Sequence, residues 1–362
     1  MNTIHKVRDS TLANRHTISG GLLLVLALFL SLAGAPSAQA QTYLFKWGEF
    51  GTGNGQFHSP VAIAIDTSDN VYVADLNNER VQKFDSSGAF LMKWGTLGTG
   101  DSQFIDTGGI ATDGSNNVYV ADWSIHRVQK FDSSGTFLLK WGSFGTGNGQ
   151  FDRPNAIAVD SSNNVYVIDS NNDRVQKFDS NGTFLLKWGT TGTGNGQFEK
   201  PYGIAVDNSN NVYVTDEDGA HVQKFDSSGT FLLKWGSLGL GDGQFGFPLG
   251  IDVDSLDNIY VVDLFPLHSR VQVFDSNGTF LTKWGSVGTE DDQFHGPFDI
   301  AIDDSDNSYV ANEGSSRVQK FTPIFWLFAL PAAGDWGLVL SLGAIALAGA
   351  GMLCRRQRRS AV

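Results

Sequence analysis

The chain has 362 residues, 41% of them hydrophobic, a formal charge of −13 and a single cysteine, Cys354. One cysteine excludes an internal disulfide and a cysteine-based zinc site. Setting aside the charged residues near the two ends leaves 18 basic against 36 acidic residues, about −18 for the middle of the chain. Such a body repels a phosphate backbone, which argues against nucleic acid as a partner.

At the N-terminus, Lys6, Arg8 and Arg15 precede an apolar run from Gly21 to Gly34 and a small-residue end, Ala38-Gln39-Ala40. This is the three-part pattern of a secretory leader spanning 1–40, with cleavage expected before Gln41.

From Gln41 to Thr322 the chain repeats itself. The tryptophan of a Lys-Trp-Gly triplet recurs at Trp47, Trp94, Trp141, Trp188, Trp235 and Trp284, at intervals of 47, 47, 47, 47 and 49 residues. Each unit holds four short runs rich in β-branched and aromatic residues. In the third these are 156–160, 164–168, 174–178 and 183–188, separated by Asp/Ser/Asn/Gly turns. Four strands per unit at this period predict a propeller blade. Val-Gln opens the third strand at Val81, Val128, Val175, Val222, Val271 and Val318, so there are six blades. The sixth lacks its own Lys-Trp-Gly strand. Residues 43–48 supply one in advance, and the expected fold is an all-β, six-bladed ring of four-stranded antiparallel blades closed by the N-terminal strand.

The recurring words Gly-Gln-Phe, Ile-Ala-Val-Asp, Asn-Val-Tyr-Val-Ala-Asp and Arg-Val-Gln-Lys-Phe-Asp resemble NHL repeats over about 290 residues. The Trp-Asp and Gly-His marks of WD40 repeats are absent. The resemblance implies a six-bladed propeller. Similar propellers include metal-dependent lyases, lactone hydrolases and RNA binders, and the acidic charge disfavours the last.

The six copies can be compared with one another. Turns between strands 1 and 2 and between strands 3 and 4 are uniform. Turns between strands 2 and 3 share the opposite face with the blade-to-blade connections, and variation concentrates there. Asp75, Asp122, Asp169, Asp216 and Asp263 end second strands and Arg80, Arg127, Arg174, Arg270 and Arg317 open third strands, so pairing across the turn is expected. His221 and Asn312 break this pattern in blades 4 and 6. On the variable face Trp123, Glu217, Asp218, His221, Phe247, Phe265 and His268 form the candidate ligand surface. Asp252 and Asp299 fall in innermost strands where other copies carry Ala or Gly. They suit either a cation or polar ligand near the axis or a hydrated channel wall. His58, His268 and His295 are candidate ligands for zinc or calcium, against the alternative of scattered loop histidines. No nucleophile constellation is present and no cofactor is predicted. The Asp-x-x-Asn-Asn hairpins read as Asx turns and not as calcium loops. Lys46, Lys93, Lys140, Lys187, Lys234 and Lys283 stand on the outer edges, where lysine discourages pairing with other chains.

After a linker at 323–336, a second apolar run, 337–354, just suffices to span a membrane, and the arginine-rich 355–362 should stay cytoplasmic. Pro331, Trp336 and Gly337 with that helix and basic end resemble the IPTL-CTERM and PEP-CTERM class of bacterial sorting tails, although Ala332-Ala333-Gly334 stands where Thr-Leu-Ser is usual. The resemblance implies a sorting transpeptidase as a partner and a cell-surface or membrane-anchored product. The overall expectation is an exported binding scaffold for a protein, peptide or glycan. The alternative is a metal-dependent lyase or hydrolase working at the channel mouth.

Overall fold

The computed structural model describes residues 37–38, 41–265, 268–324 and 326–327. The leader, the sorting motif at Pro331, Trp336 and Gly337, and the apolar run 337–354 lie outside the described residues, apart from residues 37–38 of the leader.

Six four-stranded antiparallel sheets account for the repeats. Blade 3 shows the plan: Pro154–Val159 innermost, then Val165–Asp169, Arg174–Phe178 and Phe184–Trp188 outermost. The second and third strands are buried along their whole length. The outer strand alternates half-buried and exposed residues, as an edge with one packed face should. Blade 6 joins Pro297–Ile302, Ser308–Asn312 and Arg317–Phe321 to Tyr43–Trp47 from the start of the ring, with Trp47 opposite Val318. The early strand therefore closes the ring as the repeat count requires.

Blade meets blade through the repeated tryptophan. Trp94, on the outer strand of blade 1, packs on Tyr72 of its own blade and lies 5.7 Å from the Phe131 ring of blade 2. The same step recurs at Trp141–Phe178, Trp188–Phe225, Trp235–Phe274 and Trp284–Phe321, and Trp47–Phe84 completes the circle. The glycine of the next blade's outer hairpin lies on the indole. A Cβ at Gly135, where φ is +75°, would sit 2.9 Å from Trp94, so this turn must be glycine on both counts.

The uniform hairpins behave as Asx turns. Asp303 Oδ1 accepts the Ser305 and Asn307 amides, and its Oδ2 accepts the Tyr309 hydroxyl at 3.0 Å. A lysine on the third strand then ties each blade to the next: Lys177 Nζ lies 3.5 Å from Asp160 and donates to the Ser227 carbonyl of the following blade. Blade 5 alone has Val273 at this position. Its neighbour, blade 6, takes its outer strand from the N-terminus and so has no outer hairpin to receive a lysine.

Removing residues 43–48 takes away Trp47 and opens both interfaces of blade 6. The unfolding midpoint of the truncated chain, followed by circular dichroism, is expected to fall by more than about 10 °C, since several kcal/mol of aromatic burial is lost. An unchanged midpoint would refute closure by this strand.

Candidate functional site

In blades 1, 3 and 5 the loops of the variable face are held by an Asp–Arg pair; in blade 2 Arg127 Nε makes no hydrogen bond and the pair expected with Asp122 does not form. In blade 3, Arg174 Nε meets Asp169 Oδ2 at 2.6 Å, with Asp169 wholly buried. The rest of the guanidinium donates to the carbonyls of Thr146, Gly147 and Gln150 in the preceding Gly-rich connection. Asp169 Oδ1 accepts the Asp152 amide at 2.7 Å. One ion pair thus fixes the connection that delivers the next inner strand. Blades 1 and 5 repeat it at Arg80–Asp75 and Arg270–Asp263. In blade 4, His221 stands in for the arginine, 3.5 Å from Asp216 and only 6% exposed. His221 is buried in the arginine's place, with its Nδ1 2.8 Å from the Gly219 carbonyl, and does not line the ligand surface on which it was placed.

Each clamped connection ends on the residue before the inner-strand proline: Ser59, Asp106, Arg153, Lys200, Phe247 and Gly296 around the ring, with threonine replacing proline in blade 2. The residue after the proline differs in every blade too: Val61, Gly108, Asn155, Tyr202, Leu249 and Phe298. A register shift falls at this point, as between Pro154 and Ile157 or Pro201 and Ile204. Such a bulge redirects the side chains at the channel end of the strand. The residue after the second-strand Asp or Asn (Trp123, Ser170, Glu217 and Leu264 among them) is the third variable position.

Residues from these three positions line a cavity of ≈ 260 Å³ at the channel mouth. Its blade 3 and 4 side is polar, with Arg153, Asn155, Ser170, Asn171, Lys200 and Glu217; its blade 5 and 6 side is apolar, with Phe247, Leu249, Leu264 and Phe298. Lys200 Nζ pairs with Glu217 at 2.8 Å. The Arg153 guanidinium lies 4.8 Å over the Trp123 ring. Tyr202 and Phe298 meet edge to face at 6.3 Å across the channel. Burial, and after it the nearby Glu217 carboxylate, raise the Tyr202 hydroxyl above its ordinary value, so it stays a hydrogen-bond donor at physiological pH.

Of the residues singled out from the sequence, Trp123, Glu217 and Phe247 are brought together here. Phe265 and His268 stand beside them: Phe265 packs 5.8 Å from Phe247, stacks on His268 at 5.4 Å and covers Gly246, where any side chain would collide with its ring. His268 Nε2 is 3.1 Å from Asp263, so it too joins a clamp. Asp218 is exposed at its turn and is not among the residues lining the cavity. His58 packs edge to face on Phe50, and His295 is exposed on its loop. Among the described residues no three His, Cys, Asp or Glu side chains converge on a metal position, so His58, His268 and His295 do not form the metal site considered for them. Arg153, Asn155, Lys200, Tyr202 and Phe298 were missed. The signal that finds them is a position at which all six copies differ.

Asp299 lines a narrower cavity of ≈ 30 Å³ that shares Trp123, Asn155, Tyr202 and Phe298 with the mouth. Its Oδ2 accepts the Ile63 amide of blade 1 at 3.0 Å, in space left by Gly250, whose Cβ would fall 2.4 Å from Asp299 Oδ1. Asp252 likewise accepts the Ile302 amide of blade 6 at 2.7 Å and the Val253 amide at 2.9 Å. Loss of water around each carboxylate pushes both up to about 7 against the pull of these amides, and the Asp252 charge raises Asp299 further. The pair forms the channel wall and latches blade to blade.

The DUF5128 family model, described as a 6-bladed beta-propeller, matches residues 62–179 and 162–234. Protein brain tumor of Drosophila melanogaster is 44% identical over 52 residues, 14% of this chain and 5% of that protein. The chain therefore spans about a twentieth of that relative's length. Among solved structures, a protein of unknown function from Bacteroides thetaiotaomicron is similar with a TM-score of 0.61 and 18% identity, over 80% of this chain and 83% of the other. A gluconolactonase from Xanthomonas campestris follows with a TM-score of 0.56 and 15% identity, over 81% and 98%. At these identities the likenesses show the fold: this is a six-bladed propeller.

Two outcomes follow from this geometry. Asp169→Ala leaves Arg174 charged and buried without its partner and is expected to cost ~3–5 kcal/mol in chemical denaturation. For Asp252 and Asp299, the folded state holds protons at pH values where the unfolded chain has released them, so their contribution to stability falls as pH rises from about 4 through about 7. Asp252→Ala combined with Asp299→Ala restores the small residues of the other blades. The double variant should unfold at a temperature a few degrees above the parent at pH 8, with the gap closing near pH 4. A gap that does not change with pH would show that neither carboxylate carries a raised proton affinity.

Proposed function

We propose that this chain is an exported binding propeller that holds a protein, peptide or glycan ligand at the mouth of its channel. One observation carries the reading. Three positions that vary from blade to blade, on a scaffold otherwise repeated, line a single cavity with aromatic faces, an amide and both signs of charge. Binding sites combine an apolar lining with a few placed polar groups in this way. The leader-like 1–40 supports export, and the apolar run 337–354 with its arginine cluster supports a membrane tether or handover to a sorting transpeptidase. A lyase or hydrolase reading rests on fold likeness, which says little about chemistry, and the described residues offer no converging ligand set for a metal.

The test is an array of peptides and glycans probed with the purified chain. Hits should lose at least tenfold in affinity on Tyr202→Ala or Phe247→Ala, each of which strips an aromatic wall from the cavity and costs about 1.4 kcal/mol or more. Hits indifferent to both substitutions would move the site away from the mouth. One zinc or calcium per purified chain, measured by elemental analysis, would instead favour the enzyme reading.

A further inference from the structure

The mouth is more specific than its aromatic walls suggest. Six arginines lie among the described residues, and five of them, Arg80, Arg127, Arg174, Arg270 and Arg317, spend their guanidinium groups on the carbonyls of the Gly-rich connections. Arg153 is the sixth. Its side chain is exposed, stacks on Trp123 and, among the described residues, has no carboxylate or carbonyl partner. Its backbone holds φ +63°, a left-handed conformation unfavourable for a non-glycine residue. The Arg153 amide donates to His126 Nδ1 at 3.1 Å, which holds the residue there.

Lys200 is the other cation of the cavity and Glu217 its only carboxylate. The mouth therefore carries a net positive charge within a strongly acidic body. An arginine stacked on an indole is desolvated on one face, while its edge keeps a planar fork of donors matched to a carboxylate. Across the cavity stand Phe247, Leu249, Leu264 and Phe298, which offer nothing to a hydroxyl and suit an apolar group. The volume of ≈ 260 Å³ admits one residue-sized moiety and falls below the usual range for larger ligands, which starts at about 300 Å³.

We infer that the mouth takes an apolar or aromatic carboxylate, with its carboxylate on Arg153 beside Lys200 and its apolar body against the Phe247–Phe298 wall. This rests on the mouth being the binding site and names the chemistry it selects. The same group occurs in a free organic acid and at the C-terminus of a peptide ending in an apolar residue. An acid without an apolar body, or a neutral glycan, meets only half of the cavity.

The probes are 3-phenylpropionate and its amide, and a short peptide ending in phenylalanine with a free or an amidated C-terminus, titrated calorimetrically into the intact chain at low salt. At least one acid should bind ten times or more tighter than its amide. That preference should vanish with Arg153→Gln and partly return with Arg153→Lys. Tighter binding of the peptide acid identifies a C-terminus as the occupant; tighter binding of phenylpropionate identifies a free acid. Equal binding of acid and amide, both lost on Tyr202→Ala, overturns the carboxylate inference while leaving the mouth as the site. Acid preference that survives Arg153→Gln, or no binding of any probe by a chain that captures neutral glycans, overturns it as well.

Discussion

The tryptophan that each blade sets against the next is the contact on which the rest of the molecule depends. A four-stranded blade has two apolar faces and no means of covering either, so each is stable only between neighbours. Trp94 on Phe131, Trp141 on Phe178 and their equivalents make six such interfaces, and six interfaces require a ring with no end. The chain nevertheless has ends, and Trp47 resolves the conflict by reaching Phe84 of blade 1 from a strand that belongs to blade 6. Closure leaves a mark elsewhere. Val273 replaces the tying lysine in the one blade whose neighbour lacks an outer hairpin; burial holds Asp254 of that blade above the ordinary carboxylate range, whereas at Asp160 the hydrogen bonds from Asn164 and Tyr166, and after them Lys177, outweigh burial and hold it below.

A closed ring gives the inner strands fixed positions, and the Asp–Arg clamps extend that rigidity to the loops. The clamp binds backbone groups, so it holds the connection in place whatever side chain follows. Ser59, Arg153 and Phe247 can therefore differ completely while the strands that carry them superpose in role. Rigid support under variable side chains is what a binding site needs, because little ordering entropy remains to oppose the ligand.

The ring, the blade count and the closing strand were legible in the sequence because they are written six times, in hydrophobic alternation and turn chemistry that act locally. The site was legible only in part. Trp123 and Glu217 follow second strands whose ends are marked by the repeat, and Phe247 stands out as an aromatic in a connection. Arg153, Tyr202 and Phe298 lie on either side of the inner-strand proline, where a register shift decides which side chains face the channel, and no composition rule reports that shift. His221 shows the converse. Its departure from the repeat looked like function, yet it is buried in the arginine's place beside Asp216. Asp218 departs as well and stays outside the cavity. Departure from a repeat marks a place where the scaffold's demand is relaxed or met differently, and only the surroundings distinguish the two.

Asp252 and Asp299 bring closure and channel chemistry together. Each stands where five other blades carry Ala or Gly, and each reaches an amide of the following inner strand: Asp252 from blade 5 to blade 6, Asp299 from blade 6 to blade 1. These are the two interfaces of the composite blade, the only ones lying beside a break in the chain. A hydrogen bond from a backbone amide to a carboxylate is stronger than one between neutral groups, but burial opposes the charge that makes it so. The compromise is a pair of acids poised near neutrality on the wall of the channel, below a mouth whose cations sit on blades 3 and 4. Charge is thus divided along the axis, positive where a ligand enters and acidic where the ring is sealed.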